Sequence, residues 1–141
     1  MNKEQFLTMS LPHELYAKRK NAGILKYNSM AYCNEFEIDK NNPAMECCIP
    51  VCHHLSDLTK PIEHNGEMFV PAEKIRHLRT GSQYEITTIG FFSLNYGMKH
   101  EYNTLPFEII EWLIIHHFDI AGLIDKGEAI DVNTLPENPY K

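Results

Sequence analysis

The residues that could do chemistry in this sequence are concentrated in one short stretch of cysteine and histidine. Residues 47–54 read CCIPVCHH, and thiolates and imidazoles are the side chains that bind zinc. The candidate metal ligands are Cys48, Cys52, His53 and His54. Structural zinc sites usually take ligand pairs from turns, whereas this stretch reads as a strand in which Cys48 and Cys52 face the side opposite to His53. The pattern therefore favours packed or solvated side chains, and we expect no cofactor.

Basic side chains on the helix predicted after Pro71 form a second candidate site. Lys74, Arg76 and Arg79 could hold a nucleotide or another small anionic ligand by charge. The chain has 19 acidic and 13 basic residues and a formal net charge of −6, which argues against a broad basic surface for nucleic acid or an anionic membrane. A solvated helix face is the alternative interpretation of these three residues.

His116 and His117 lie at the end of the longest predicted helix, where the helix dipole favours a cationic imidazole. A proton-transfer role would also need a nucleophile or a carboxylate pair beside them, and the sequence places none there. We therefore expect His117 to pack on the core side beside Phe118 and His116 to be solvated.

Short strands dominate the first half of the sequence, after a short helix predicted over residues 4–9. Apolar and polar residues alternate there, with turn residues between the runs. The predicted strands cover residues 15–18, 25–38 and 45–51. Pro50 places the last of these at a sheet edge or near a strand end, because proline donates no hydrogen bond to the ladder. Asn65-Gly66 then predicts a β-hairpin, since both central residues of a type I′ turn need positive φ.

The segment after this hairpin is predicted to contain a helix, a strand and an irregular stretch. The helix begins at Pro71, whose fixed φ suits a first turn, and ends at Gly81. Residues 84–89 read as a strand. Residues 90–102 show neither helical nor strand periodicity, so we predict a loop or an irregular strand.

The longest predicted helix covers residues 105–118, followed by a short helix that Asp119 would cap and an extended piece over 129–132. Strands cluster early instead of alternating with helices, so the fold class is α+β, with a mostly antiparallel sheet and a late amphipathic helix packed on it. We expect a single domain over residues 1–132 and a loosely ordered C-terminal tail over residues 133–141.

Two segments provide the chain's resemblance to other proteins. They read LSDLTKPIEHNGEMFVP over residues 55–71 and HFDIAGLIDKGEAIDVNTL over residues 117–135. Both segments resemble small proteins encoded by phages and prophages of gut Bacteroidetes. The Leu11-Pro12 start and the Ile24-Leu25 strand also fit that pattern. The resemblance implies a phage or prophage setting and assigns no activity, ligand or catalytic residue.

The sequence contains no complete catalytic motif, so we expect a non-catalytic phage accessory protein that binds a host or phage protein. The candidate partner-binding residues are the aromatics Phe91, Phe92 and Tyr96, which would form an exposed patch. The sequence has no long apolar run, and its polar start is unlike a secretory signal peptide, so we expect a cytoplasmic protein. A homodimer through the edge near Pro50 or the helix around Trp112 stays an open alternative.

Overall fold

The computed structural model describes residues 1–18, 23–27 and 49–141. The helices in this part of the chain are α1 (Lys3–Ser10), α2 (Pro71–Arg76) and α3 (Phe107–Ile115). The strands are β1 (Leu15–Lys18), β2 (Ile24–Tyr27), β3 (Ile49–Cys52), β4 (Ile62–His64), β5 (Glu67–Phe69), β6 (Tyr84–Thr87), β7 (Gly90–Ser93), β8 (Lys99–His100) and β9 (Ile130–Asp131). Short 3₁₀ helices, including Leu55–Thr59 and Tyr102–Thr104, connect several of them. The parts of the predicted strands over residues 28–38 and 45–48 lie outside the described residues.

The described strands form three sheets. The first has the order β2-β1-β3-β9, the second is the β4-β5 hairpin, and the third has the order β6-β7-β8. Every named pairing is antiparallel except that between β3 and β9, which is parallel. The α+β class, the mostly antiparallel sheets and the late helix are therefore confirmed. Pro50 lies near the start of β3, which is flanked by β1 and β9, so it marks a strand end and not a sheet edge.

The N-terminal helix begins with a reciprocal cap. The Gln5 backbone N–H donates to Asn2 Oδ1 at 2.9 Å, and the Asn2 backbone N–H donates to Gln5 Oε1 at 3.0 Å. This arrangement satisfies donors that the first turn of a helix leaves without partners. It orients α1 so that Phe6 and Leu7 are buried, as predicted for a short helix at this place.

The predicted hairpin and the helix after it are both present. Asn65 has φ of 50° and Gly66 has φ of 82°, as a type I′ turn requires. The helix begins at Pro71 but ends at Arg76, before the predicted stop at Gly81. Gly81 is needed for a different reason, because a Cβ atom there would overlap the carbonyl of Ile75.

Helix α3 ends in a way that sets the direction of the following residues. His117 has φ of 61°, and its backbone N–H donates to the carbonyl of Ile114 at 3.0 Å, while that of Phe118 donates to the carbonyl of Leu113 at 2.9 Å. These two bonds form a Schellman motif, in which glycine usually occupies the left-handed position. The motif places Phe118 in a parallel bridge with His53, next to the end of β3.

The buried side chains form three clusters. The largest lies between α3, α2 and the β6-β7-β8 sheet and includes Ile75, Phe91 and Ile109. A second joins Phe6 of α1 to Cys52 and Leu123. The third contains Val51, Val132 and Tyr140. No helix among the described residues is both long enough and apolar enough to cross a membrane.

Three predictions about the second half of the chain are wrong in part. Residues 90–102 contain the paired strands β7 and β8, because Phe91 is buried in the core while Phe92 is only half-buried on the opposite side of the strand. The short helix expected after Asp119 is a series of turns, although Asp119 does cap them through its carboxylate. The tail over residues 133–141 is held in place, since Tyr140 is buried and hydrogen-bonded to the first sheet.

Candidate functional site

Four histidines that are distant in sequence meet in the interior and form the candidate site. We call His53, His64, His116 and His117 the histidine cluster. His53 directly follows β3, His64 ends β4, and the other two follow α3. His53, His64 and His117 are buried and His116 is half-buried. The hairpin, the Schellman motif and the end of β3 therefore bring together side chains that no local sequence pattern connects.

The rings of the cluster are in contact or close to it. The ring centroid of His64 lies 4.9 Å from that of His116 and 5.9 Å from that of His117. His53 packs on Phe118, with ring centroids 5.2 Å apart. The backbone locks this arrangement, because the His53 N–H donates to the carbonyl of His117 at 2.8 Å.

Tyr140 completes the cluster from the C-terminal end of the chain. Its ring stacks on His117 with centroids 4.2 Å apart and planes at 15°, and it lies 5.8 Å from the His53 ring. Its hydroxyl accepts a hydrogen bond from the Tyr16 backbone N–H at 3.0 Å and donates one to the Val51 carbonyl at 2.6 Å. The register of β1 and β3 pairs Ala17 with Pro50, so continuing it would place Tyr16 opposite Val51. The Tyr140 hydroxyl therefore bridges two strands where a direct ladder bond would otherwise form.

Three ring nitrogens of the cluster are buried without a hydrogen-bond partner among the described residues. They are Nε2 of His53, Nδ1 of His64 and Nδ1 of His117. A neutral imidazole has one donor and one acceptor nitrogen, whereas a protonated imidazole needs acceptors for both. Protonation of these rings would add a positive charge where the surrounding groups do not compensate it, at a high cost in free energy.

Burial therefore lowers the histidine pKa values. The pKa of His53 falls from 6.5 to about 4, first because of desolvation and then because of the charges that His64 and His116 would carry. The pKa of His64 falls to about 4 through desolvation and His116. The pKa of His117 falls to about 2 through desolvation and the neighbouring imidazoles. These three rings are neutral at pH 7.

His116 is oriented by its own helix. Its ring stacks on Trp112 with centroids 3.8 Å apart, and its Nδ1 lies 2.8 Å from the Trp112 carbonyl oxygen. A carbonyl only accepts, so Nδ1 carries the proton and donates. Burial lowers the pKa of His116, while the Trp112 carbonyl and Glu67 favour its charged form and Lys74 disfavours it. The expectation of a solvated His116 is wrong, whereas that of a core-facing His117 beside Phe118 is confirmed.

The predicted metal ligands do not come together in the described residues. Cys52 packs with Phe6 and Leu123, and burial raises the pKa of its thiol well above the ordinary value. His54 is half-buried, and its Nε2 lies 3.5 Å from the carboxylate of Asp125. His53 belongs to the histidine cluster on the side opposite to Cys52, and Cys48 lies outside the described residues. Within residues 1–18, 23–27 and 49–141, no group of three or more His, Cys, Asp or Glu is arranged to hold a metal ion.

The predicted basic site is spread over an exposed surface. Lys74 forms an ion pair with Glu67 at 2.7 Å and lies over the ring of Phe69. Arg76 and Arg79 are both exposed, and Arg79 lies beyond the end of α2. Anion binding by these residues stays a prediction, and the geometry adds no concave surface to support it.

The predicted aromatic patch is divided by the structure. Phe91 is fully buried and Phe92 is half-buried, so neither leads a contact surface, whereas Tyr96 is 81% exposed. Two neighbours in the same turn are also exposed, Leu94 at 59% and Met98 at 66%. We call Leu94, Tyr96 and Met98 the turn surface, because all three lie between β7 and β8.

A cleft of about 560 Å³ lies beside the turn surface. Its lining includes Tyr96, Met98, Gln83, Asn95, His100 and Thr104. Sequence reasoning named Tyr96 but missed Leu94 and Met98, because the turn that exposes them falls in the stretch without periodicity. The exposed apolar side chains and the adjoining cleft define a surface suited to binding another molecule.

The two segments of the resemblance contact each other, which the sequence does not reveal. The Asn133 side-chain amide donates to the Asp57 carboxylate at 2.7 Å, joining residues 55–71 to residues 117–135. These segments supply His64 and His117 to the histidine cluster. No protein-family model, curated protein or solved structure matches the chain. The function is therefore inferred from the residues described above.

Proposed function

We propose that this protein is a non-catalytic, cytoplasmic phage or prophage accessory protein that binds a host or phage protein through the turn surface. The observation that carries this proposal is the exposure of three large apolar side chains, Leu94, Tyr96 and Met98, within five residues. Exposed apolar groups that lie together, beside a concavity, are typical of contact surfaces. The resemblance to phage and prophage proteins supports the biological setting.

The side chains of the turn surface suit a protein partner. Tyrosine and methionine are enriched at protein interfaces, because each brings a large contact area. Tyr96 has an apolar ring and a hydroxyl that can donate to a partner, and tyrosine is a common hot-spot residue. Met98 is unbranched and can adapt to an irregular partner surface.

The adjoining cleft offers a place for a partner side chain. Its volume of about 560 Å³ is large enough for several side chains, and clefts of this order hold small ligands in other proteins. Lys99, Glu101 and Thr104 line it together with the apolar residues, so charged and hydroxyl groups surround an apolar centre. This is the usual anatomy of a protein interface, with an apolar centre and a polar rim.

A matched control exists for testing the turn surface. Ile89 is 65% exposed, which is close to Met98, but it lies in the turn between β6 and β7, at the other end of β7. Removing Ile89 therefore changes the exposed apolar area without touching the turn surface. Arg76 and Arg79 provide a second control, because they belong to the competing anion-binding hypothesis.

The experiment is an affinity capture from nuclease-treated host lysate, with and without phage proteins, using four tagged chains. These are the wild type, the double variant Tyr96→Ser and Met98→Ser, the variant Ile89→Ser, and the double variant Arg76→Ser and Arg79→Ser. The proposal expects one protein in stoichiometric amount with the wild type, Ile89→Ser and the arginine variant, and at least about a 10-fold loss with the turn-surface variant. Equal capture by all four chains, loss only with the arginine variant, or no captured protein would overturn it.

A further inference from the structure

We propose that residues 138–141 are an acid-sensitive clasp, which docks while the histidine cluster is neutral and is released from the first sheet when the cluster takes up protons. We call residues 138–141 the clasp. The proposal concerns the C-terminal end of the chain and is independent of the turn surface.

The clasp is held by a small set of contacts, and Tyr140 makes most of them. Its ring stacks on His117, and its hydroxyl bridges Tyr16 and Val51. Its carbonyl accepts a hydrogen bond from the Asn65 backbone N–H at 2.8 Å. The Asn138 side-chain amide donates to the Glu63 carbonyl at 2.9 Å. One buried side chain therefore joins the clasp to β1, β3 and the β4-β5 hairpin.

The cluster that receives Tyr140 is arranged against positive charge. Three of its ring nitrogens are buried without partners among the described residues, on His53, His64 and His117. A proton on any of these rings would sit in the interior without an acceptor. Removing the Tyr140 ring would open the cluster to water, because this ring covers His117 and also lies 6.1 Å from His64.

The charged groups around the cluster do not offset a proton in its centre. The titratable groups facing it from neighbouring elements are His13 after α1, Tyr16 in β1, Glu67 in β5 and Lys74 in α2. Glu67 favours a charged His116, but its carboxylate is paired with Lys74 at 2.7 Å.

Two further carboxylates near these elements are already engaged in hydrogen bonds. The oxygens of Asp119 accept from the backbone N–H groups of Leu123 and Ile124, each at 2.8 Å. The carboxylate of Asp57 accepts from Asn133. At the far end of the clasp, Lys141 pairs with Glu137 on the surface.

Proton uptake and release of the clasp are therefore linked. A histidine that becomes hydrated when the clasp opens regains a pKa near 6.5, whereas His64 in the docked state has a pKa of about 4. For one such histidine, lowering the pH from 7.5 to 5 favours the open state by about 30-fold. Release needs no change in the pairing of β6, β7 and β8, which lie in a separate sheet.

Two backbone amides report directly on the docked clasp. The Tyr16 N–H donates to the Tyr140 hydroxyl, and the Asn65 N–H donates to the Tyr140 carbonyl. The Ser93 N–H is the internal control, because it donates to the carbonyl of Met98 in the third sheet. Hydrogen exchange of these three amides, measured by NMR on the full chain at pH 7.5 and pH 5, gives protection factors that are corrected for the intrinsic rate at each pH.

The proposal expects the protection factors of Tyr16 and Asn65 to fall by about 30-fold or more at pH 5, while that of Ser93 falls much less. Unchanged protection at Tyr16 and Asn65, or an equal fall at Ser93 that reports global unfolding, would overturn it. In His64→Phe, which keeps an aromatic ring without a titrating group, the fall should shrink by at least 5-fold. An undiminished fall in this variant would also contradict the proposal.

Tyr140→Ala provides a second test at neutral pH. Without the ring, the Tyr16 and Asn65 amides should exchange rapidly at pH 7.5, with Ser93 still protected. Wild-type protection at Tyr16 and Asn65 in this variant would show that Tyr140 does not hold the clasp. If Tyr140→Ala does not fold, the pH comparison of the wild type with His64→Phe decides the matter.

Discussion

The ring of Tyr140 stacks on the ring of His117, with centroids 4.2 Å apart and planes at 15°. Tyr140 is the penultimate residue, and His117 occupies a left-handed position just after α3. This contact places the end of the chain over the histidine cluster, and the Tyr140 hydroxyl bridges β1 and β3 beside it. It is the reason that residues 133–141 are not a loose tail.

Tyr140 should be one of the most important side chains for stability. Tyr140→Ala removes a buried ring and the bridge between Tyr16 and Val51, so we expect the free energy of unfolding to fall by about 3–5 kcal/mol. Tyr140→Phe keeps the ring and loses only the hydroxyl, for which we expect about 1–3 kcal/mol. Urea denaturation measures both, with Tyr96→Ala as the control on an exposed ring, expected within about 0.5 kcal/mol of the wild type. A loss below about 1 kcal/mol for Tyr140→Ala would restore the prediction of a loosely ordered tail.

Acid should destabilise the folded chain over a defined pH range. Burial lowers the pKa of His53 and His64 to about 4 and that of His117 to about 2. In the unfolded chain these side chains have a pKa near 6.5, so below that pH the unfolded state binds more protons than the folded state. The stability from keeping these rings neutral is complete above pH 6.5 and decreases as the pH falls toward 4. Each histidine adds a slope of at most about 1.4 kcal/mol per pH unit.

Urea denaturation at several pH values between 7.5 and 4.5 tests this pH dependence. The slope should decrease in His64→Phe, which loses one of the buried titrating groups. It should stay as in the wild type in His77→Gln, since His77 is exposed. A free energy of unfolding that is flat between pH 7 and pH 5 would show that the cluster is hydrated or already charged.

Gly81 should not tolerate a side chain, although it is not in a left-handed conformation. A Cβ atom at this position would overlap the carbonyl of Ile75, which is backbone and cannot move aside without displacing the end of α2. We expect Gly81→Ala to lower the free energy of unfolding by about 1–3 kcal/mol or more. Gly23→Ala is the control, because nothing lies within 4 Å of a Cβ there. Thermal denaturation showing equal melting temperatures for the two variants would contradict the close approach.

Zinc should have little effect on the purified protein, because the described histidines and cysteines do not converge on one ion. We expect one equivalent of zinc at pH 7.5, or an excess of EDTA, to change the melting temperature by less than about 2 °C. Differential scanning calorimetry measures the change. A rise of several degrees with zinc that disappears in His64→Phe would instead identify the histidine cluster as a metal site.

The parts of the fold that the sequence could predict are those specified by neighbouring residues. Asn65-Gly66 predicts the hairpin because only a few residues adopt positive φ at both turn positions. The cap made by Asn2 and Gln5 and the apolar spacing around Ile109 belong to single helices. In each case the physical cause lies within a few residues of the element.

The histidine cluster could not be predicted, because its members come from four separate parts of the chain. His64 belongs to a hairpin and Tyr140 to a polar, proline-containing end, and neither position carries a local signal that the two meet. The strand β7 was missed for a different reason. Phe91 and Phe92 are adjacent aromatics on opposite sides of the strand, so the alternation that usually identifies a strand is absent.

The most direct test of the central claim is to map the binding surface with the captured partner. Amide chemical shifts of the isotope-labelled protein are recorded with and without this partner. We expect the shifts to concentrate on the turn surface and its cleft, over residues 83–104, with Arg76 and Arg79 unaffected. Tyr96→Ser combined with Met98→Ser should weaken binding by about 10-fold or more, while Ile89→Ser should not. Shifts centred on residues 74–79, or equal affinity of the turn-surface variant and the wild type, would contradict the account.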